Sequence, residues 1–200
     1  MYAGREYMAY RKLSNIRESI LEKVTELGAK EGISSITARK VASLADISTH
    51  TIYTNFLSMD DLINEAALRY EKKELNVLIS CLKENISKEE AFLKTLQSLM
   101  EEKNGTLFYS DYRSSKLREY YDRQKAKTQK YIECSKMLFG DYKSVSDKIY
   151  LFLWNHAIMC LFVYSSALIK GKINDTLEAR KTIIEIIFNG TTHILPNKKR

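Results

Sequence analysis

Residues 37–56, TARKVASLADISTHTIYTNF, constrain the fold of this chain more than any other segment. Apolar side chains recur there at helical spacing in two short sets, separated by the step Asp46–Ser48. These sets are Val41, Ala42 and Ala45, then Ile52 and Phe56. Because the separating step is only three residues long, the segment predicts two helices joined by a tight turn.

The second of these helices is predicted to begin with an exposed polar turn. Ser48 can cap it, because a serine hydroxyl at this position accepts the backbone N–H of Thr51. The residues at the helix start, Thr49, His50 and Thr51, are all polar. A polar first turn backed by an apolar face suits contact with base edges in the major groove of DNA. Tyr53, half a turn further on, can reach a phosphate.

These residues resemble the N-terminal module of the tetracycline-repressor (TetR) family. The resemblance spans about a third of the chain, from Ile16 to Ala66, and depends on many offsets agreeing at once. The residues that carry it are Thr37, Arg39, Val41–Ala42, Ile47–Ser48, Thr51–Ile52–Tyr53, Phe56, Ser58 and Leu62.

Four positions depart from the family pattern. Asp46 stands where the family has a turn glycine, and His50 stands where it often has a small residue. Asn55 replaces an aromatic residue, and Met59 replaces a lysine that usually contacts phosphate. Aspartate tolerates a left-handed backbone better than most residues, so we expect the turn to form. The missing lysine removes one backbone contact that the resemblance would otherwise imply.

The pattern and the resemblance together predict a DNA-binding surface. For His50 the alternative is a solvated histidine, and for Tyr53 it is partial packing against the first helix; we favour DNA contact for both. Base readers are predicted to be Thr49, His50 and Thr51, with Ser48 as their cap; phosphate contacts are predicted for Thr37, Arg39, Lys40, Tyr53 and Asn55.

The whole chain is predicted to be all-α. It has 200 residues, one proline and seven glycines, and it lacks the alternating pattern of strands. We expect two domains, a three-helix helix-turn-helix DNA-binding domain over 1–58 and a helical ligand-binding and dimerisation domain over 59–200.

Caps and glycines predict the ends of several helices. The first helix is expected to start at Ser14, after residues that are at most partly helical, and to stop at Gly32. Ser58 and Ser87 each precede an acidic residue by three positions, in the capping-box pattern that opens a helix. The second of these helices is expected to end near Asn104–Gly105.

Net charge gives only weak support to a nucleic-acid partner. The chain carries +7, but residues 1–60 hold eight basic and seven acidic side chains. Most of the excess lies in Lys116–Lys130 and at residues 198–200. The prediction of DNA binding therefore rests on the motif, with Arg39 and Lys40 as local positive charges.

Other chemistries have little support in the sequence. Cys81, Cys134 and Cys160 are odd in number and widely spaced, as expected of reduced thiols in a cytoplasmic protein with no signal peptide. His156 and Cys160 could face one metal, but two ligands are too few. Catalytic motifs such as G-x-S-x-G and H-E-x-x-H are missing. We therefore expect no metal site, no cofactor and no enzymatic activity.

A predicted helix over Lys116–Phe139, closed by Gly140, carries polar groups among aromatic ones along one seam. A ligand pocket needs such a mixture, although a seam that is satisfied within the core or wetted by solvent would look the same. The predicted inducer cavity is formed by Phe108, Tyr112, Tyr121, Gln124, Thr128, Tyr131 and Trp154.

Residues 149–169 are almost continuously apolar and long enough to span a bilayer. Asn155 and His156 stand at the middle, where polar side chains are costly in lipid. We expect no membrane segment, but a helix buried on one side by its own domain and on the other by a second subunit. With a last helix opened by Asp175 and Glu178, it resembles the family's four-helix dimer interface.

The resemblance implies a ligand-responsive transcriptional regulator, a repressor, that binds a palindromic operator on double-stranded DNA as a homodimer and responds to a small-molecule inducer. The alternative is a DNA-binding regulator whose second domain only dimerises or docks a protein partner, without an inducer. A membrane-anchored protein is a third alternative, and it predicts extraction that depends on detergent.

Overall fold

The protein is described here by a computed structural model that covers residues 3–84, 86–115, 128–190 and 195, with side chains from residue 15 onward. Every regular element within these residues is helical, which confirms the all-α prediction. The helices are α1 (Ala3–Glu31), α2 (Ala38–Ala45), α3 (Thr49–Asn55), α4 (Met59–Lys83), α5 (Lys88–Glu101), α6 (Lys103–Ser115), α7 (Thr128–Phe139), α8 (Asp147–Ile169) and α9 (Leu177–Asn189). A 3-10 turn, Ile33–Ser35, joins α1 to α2.

The predicted start of the first helix is wrong. Helix α1 begins at Ala3, and Ser14 lies inside it. The residues before Ser14 are mostly good helix formers without proline, so nothing forces the chain out of the helix there, and a serine caps only where the chain leaves it. The predicted end is confirmed, because Gly32 has a φ of 86°, a conformation that glycine adopts without strain.

The predicted end of α5 is also wrong. Helix α5 stops at Glu101, and Asn104 and Gly105 lie in the first turn of α6. A Cβ atom on Gly105 would lie 2.2 Å from Cε2 of Tyr70 on α4. The glycine therefore serves the close approach of α6 to α4 and does not mark a turn.

Serine and threonine caps set the starts of α3, α4, α5 and α9. The hydroxyls of Ser48, Ser58 and Ser87 accept the backbone N–H groups three residues later at 3.1, 3.0 and 3.1 Å, as predicted. Helix α9 is capped by Thr176, whose hydroxyl accepts the N–H of Ala179 at 3.0 Å. Asp175, predicted to open this helix, instead forms a bidentate pair with Arg180.

Helix α4 belongs to both halves of the chain. Its first turns bury Leu62, Ile63 and Ala66 in the core shared with α1, and its later turns bury Leu75 and Leu78 against α5. The N-terminal helices are also packed on α6. A Cβ atom on Gly28 of α1 would lie 2.5 Å from the Phe108 ring, so these two helices meet in close contact.

Aromatic side chains join the last helices to α5. Phe188 of α9 lies with its ring centroid 5.4 Å from Phe92 on α5 and 5.8 Å from Phe139 on α7. Trp154 of α8 stacks on Tyr131 of α7 at 5.6 Å. Helix α8 is long and apolar enough to cross a membrane by length and composition, but half of that apolar window is buried inside the protein.

Candidate nucleic-acid interface

The segment 37–56 folds as the helix–turn–helix that the sequence predicts. The Thr37 hydroxyl accepts the N–H of Lys40 at 3.4 Å and caps α2. The turn passes through Asp46, whose φ and ψ of 53° and 49° are left-handed. Aspartate thus takes the place of a turn glycine, and the backbone N–H of Ile47 donates to the Ala42 carbonyl at 3.0 Å to close α2.

Helix α3 has one exposed polar end and one buried apolar face. Thr49 and His50 are exposed and Thr51 is half-buried. On the opposite face Ile52 is fully buried and Phe56 is 2% exposed. The burial of this face fixes the helix in the core, so the polar side chains of its first turn project into solvent, where a groove of DNA can receive them.

The hydroxyls in this first turn are already arranged by local hydrogen bonds. The Ser48 and Thr51 hydroxyls lie 2.9 Å apart, and the Ser48 hydroxyl also accepts the Thr51 N–H. Ser48 therefore holds the turn, while Thr49 and His50 carry the exposed side chains.

Tyr53 lies on the exposed side of α3, with 54% of its surface accessible. It borders a surface groove of about 290 Å³ that Arg17, Asn55 and Leu57 also line. About half of the Tyr53 surface is thus open to solvent, and the rest is covered.

The other predicted phosphate contacts differ in whether their side chains already have partners within the protein. Arg39 is exposed. Lys40 is also exposed but pairs with Glu31 of α1 at 2.7 Å, which keeps the pKa of the Glu31 carboxyl below its ordinary range. Exposed pairs of this kind are weak, so Lys40 can exchange Glu31 for a phosphate. The Asn55 amide donates to the Thr51 carbonyl at 2.8 Å, which occupies one of its groups.

Arg17 is a positioning residue that sequence reasoning missed. From α1 its guanidinium donates to both carboxyl oxygens of Glu65 on α4 and to the backbone carbonyl of Asn55 at the end of α3. It also lies over the Phe56 ring, 4.2 Å from the centroid. Arg17 thus ties the end of α3 to α1 and α4. Its partners are 38 and 48 residues away, so no local pattern could reveal this role.

The predicted inducer residues fall into two aromatic groups within the C-terminal core. Phe108 and Tyr112 stack on α6 at 6.4 Å, and Tyr112 donates to the Asn64 side chain at 2.9 Å. Tyr131 and Trp154 form the second stack. Thr128 is half-buried at the start of α7. The remaining two, Tyr121 and Gln124, lie outside the described residues, as does the predicted helix before Thr128.

Metal ligands are sparse in the part of the chain that the structure describes. No group of three or more His, Cys, Asp or Glu side chains there could hold an ion. In the pair that the sequence singled out, Cys160 and His156, the sulfur lies 3.8 Å from Nε2. Burial raises the pKa of the Cys160 thiol, which disfavours the thiolate that a metal would require.

Solved structures share this arrangement of helices. A TetR family transcription regulator from Marinobacter aquaeolei VT8 matches with a TM-score of 0.67 at 14% identity, over 90% of this chain and 97% of its own. A TetR-like transcriptional regulator from Rhodococcus sp. RHA1 matches with a TM-score of 0.62 at 14% identity, over 86% and 92%. This is the TetR fold. No family model matches the chain, and no curated protein matches its sequence.

The TetR fold is also shared by NalD, the secondary repressor of the MexAB-OprM multidrug efflux pump in Pseudomonas aeruginosa. NalD matches with a TM-score of 0.61 at 20% identity, over 88% of this chain and 95% of its own. The match covers far more than the first third of the chain, so the likeness to the TetR fold extends beyond the helix–turn–helix.

Proposed function

We propose that this protein is a DNA-binding transcription regulator that binds a two-fold symmetric operator as a homodimer. The observation that carries the proposal is the polar, exposed first turn of α3, held by Ser48 and backed by the buried side chains of Ile52 and Phe56. A helix fixed in this way presents the same side chains each time to the major groove. The TetR fold, which the solved structures share over about nine-tenths of the chain, supports the same function.

Within this turn Thr49, His50 and Thr51 read base edges. A hydroxyl can donate to or accept from a base, and a histidine can do the same through either ring nitrogen. Thr37, Arg39, Lys40, Tyr53 and Asn55 hold the phosphates on either side of the groove. Such contacts give affinity and register, but they carry no sequence information of their own.

The homodimer is proposed to form through α8 and α9. Phe152, His156, Met159 and Val163 recur at steps of four and three on α8, so they share one helix face. Phe152 and Val163 at its two ends are 56% and 54% exposed, and Ile186 on α9 is 52% exposed. Apolar side chains exposed along one stripe suit a second copy of the chain.

The dimer sets the geometry of DNA reading. Two α3 helices related by a two-fold axis must stand about 34–36 Å apart to enter successive major grooves on one face of the duplex. A change in the tilt of α4 would alter this separation, since only three residues lie between α3 and α4, and α4 continues into the C-terminal core. Regulation of operator affinity follows from any ligand that prefers one tilt.

A small molecule that binds among the C-terminal helices is proposed to supply this regulation, and repression is the proposed outcome. Two proteins with the same fold support this step. One is described as the multidrug binding protein EbrR in complex with imidazole, and NalD is described as a repressor of an efflux pump. A ligand that prefers the DNA-incompetent state by about 100-fold would weaken operator binding by a similar factor at saturation.

Selection of bound sequences from random duplexes tests this proposal. The purified chain should enrich one consensus made of two inverted half-sites whose centres lie about 10 base pairs, or a multiple of that, apart. Failure to enrich any sequence would contradict DNA reading. Enrichment of a single half-site without its inverted copy would contradict the dimer but not the DNA-binding helix.

A further inference from the structure

Glu74 lies in the middle of α4 with its carboxyl group buried. Its side chain is 1% exposed, and among the described residues neither carboxyl oxygen has a hydrogen-bond partner. The Ser98 hydroxyl on α5 is close enough to favour the ionised carboxylate but does not form a hydrogen bond of ordinary geometry with it. A buried acid without a partner is costly, and proteins seldom retain one without a use.

Glu71, one turn earlier on the same helix, provides a direct comparison. It is also buried, at 2% exposed, but its Oε1 atom accepts a hydrogen bond from the Tyr131 hydroxyl at 3.2 Å. The C-terminal domain therefore supplies a partner of its own for the first of these two glutamates. The second is left available for a group from outside the chain.

A small cavity adjoins Glu74 between α4, α5 and α8. It has room for about one water-sized group, ≈ 10 Å³, which is also the size of an ammonium head. The Thr95 hydroxyl in its wall is already committed to the Ala91 carbonyl at 2.8 Å, so Glu74 is the other polar residue of the wall. The wall is otherwise apolar and consists of Leu75, Leu78, Leu99, Ile158, Leu161 and Phe162.

We propose that Glu74 recognises a ligand that carries a protonated amine, whose ammonium group enters this cavity and pairs with the carboxylate. The inference rests on the small-molecule response proposed above and names the chemistry of its ligand. An ammonium donates three hydrogen bonds to a group that only accepts them when ionised. An anion would be repelled, and a neutral alcohol would bring no positive charge to stabilise the ionised carboxylate.

The aromatic surroundings favour the same class of ligand. Phe162 stands in the cavity wall, and the Tyr70 ring meets it edge-on with the centroids 6.2 Å apart. Aromatic faces attract cations. The carbon skeleton of the amine must displace the leucine side chains that close the cavity. Binding therefore moves α4 against α5, and because α4 directly follows α3, this movement also shifts α3.

The test uses the full chain and three probes of matched size, which are benzylamine, benzyl alcohol and benzoate. Benzylamine should raise the melting temperature and bind, by calorimetry, about tenfold or more tightly than benzyl alcohol, because a charged hydrogen bond is worth that much. Benzoate should not bind. Equal effects of benzylamine and benzyl alcohol, or stronger binding of benzoate, would overturn the proposal.

Three variants locate the effect. Glu74→Gln keeps the shape of the side chain and should abolish the preference for benzylamine, whereas the exposed Glu101→Gln should retain it. Glu74→Asp keeps the charge and should retain the preference at lower affinity, which tests the site even if the glutamine variant is unstable. Retention of the full preference in Glu74→Gln would overturn the assignment.

The outcome for this site is separable from the outcome for DNA binding. The amine measurements need no DNA, and the selection of duplexes needs no amine. A chain that selects a symmetric duplex but binds benzylamine no better than benzyl alcohol remains a DNA-binding regulator and overturns the role of Glu74. A chain that prefers benzylamine through Glu74 but selects no duplex retains the site and loses the proposed function.

Discussion

Asp111 on α6 accepts a hydrogen bond from the backbone N–H of Ile33, with 2.7 Å between Oδ2 and N. Ile33 opens the 3-10 turn that leads from α1 into α2, so this bond fastens α6 to the segment that leads into the helix–turn–helix. Gly28 on α1 contacts Phe108 on the same helix α6. Helix α6 is thus a second connection between the two halves of the chain, in addition to α4.

Loss of this connection should loosen the turn before α2. In Asp111→Ala the buried N–H of Ile33 loses its acceptor, and we expect the protein to be destabilised by about 1–3 kcal/mol. Urea unfolding measures the loss, and amide hydrogen exchange should show faster exchange at Ile33. Ser114→Ala, which removes an exposed hydroxyl from the same helix, should change neither; equal effects of the two variants would contradict the account.

Arg17 should contribute more to stability and to DNA affinity than Arg69, a second arginine that bridges α1 and α4. Arg17→Ala removes the bidentate pair with Glu65 and the bond to the Asn55 carbonyl, and should cost about 1–2 kcal/mol and weaken DNA binding through misplacement of α3. Arg69→Ala removes an exposed pair with Glu18 and should cost less than about 1 kcal/mol. Thermal unfolding and DNA affinity of both variants check this order.

Base readers and phosphate contacts should respond differently to substitution. Tyr53→Phe removes one hydroxyl and should weaken binding to all duplexes alike, by about 1 kcal/mol. Thr49→Ala should instead change which bases are preferred in the selected consensus. Fluorescence anisotropy on the consensus and on single-base variants measures both; an unaltered profile for the two proteins would show that α3 is not the reading helix.

The exposed stripe on α8 should be needed for self-association. Val163→Arg places a charge in the proposed interface and should give a monomer with DNA affinity reduced by at least tenfold, because two linked half-sites bind more tightly than one. Light scattering after gel filtration reports the mass. Leu44→Arg, at an exposed leucine of α2, should remain a dimer, and a dimeric Val163→Arg protein would exclude this interface.

Glu74 should make stability depend on pH in a defined direction. Burial is the main cause that raises the pKa of the Glu74 carboxyl, and the negative charge of Glu102 raises it further. Ser98 and Lys73 act in the opposite direction. The carboxyl group of Glu74 also faces Tyr70. Because the folded state holds this proton more tightly than the unfolded state, the protein loses stability as pH rises from the ordinary glutamate range to the raised pKa.

Glu74→Gln removes this titration. The variant should gain stability over the original protein as pH rises from 4 to 7.5, and the gain should vanish at the acid end. Melting temperatures of both proteins across this range measure it. A gain that is constant with pH would show that the carboxyl titrates normally.

The sequence predicts what is encoded locally. Ser48, Ser58 and Ser87 act on backbone groups three residues away, and Asp46 adopts the left-handed turn by itself, so neighbouring residues suffice to place α2, α3 and the starts of α4 and α5. Predictions from neighbouring residues were wrong where the same residue type serves more than one structural role. Ser14 has the chemistry of a cap but lies inside a helix, and Gly105 looks like a turn but serves packing.

Long-range contacts could not be predicted in this way. Asp111 meets Ile33 across 78 positions and Arg17 meets Glu65 across 48. Each partner is an ordinary charged or backbone group whose pairing depends on how the helices cross. The same holds for Glu74, which has no sequence feature to distinguish it from its exposed neighbours on α4 until its burial is known.

The most direct measurement of the central claim is photocrosslinking from position 50. His50→Cys, labelled with a short photoreactive group, should crosslink to bases in both half-sites of the selected duplex, with the two positions related by its two-fold axis. Two controls are needed. Ser144→Cys, labelled at an exposed site between α7 and α8, measures nonspecific crosslinking, and the original protein measures labelling of its own cysteines, of which Cys160 is half-buried. Crosslinks from position 50 no stronger than those from position 144 would contradict the placement of α3 in the groove.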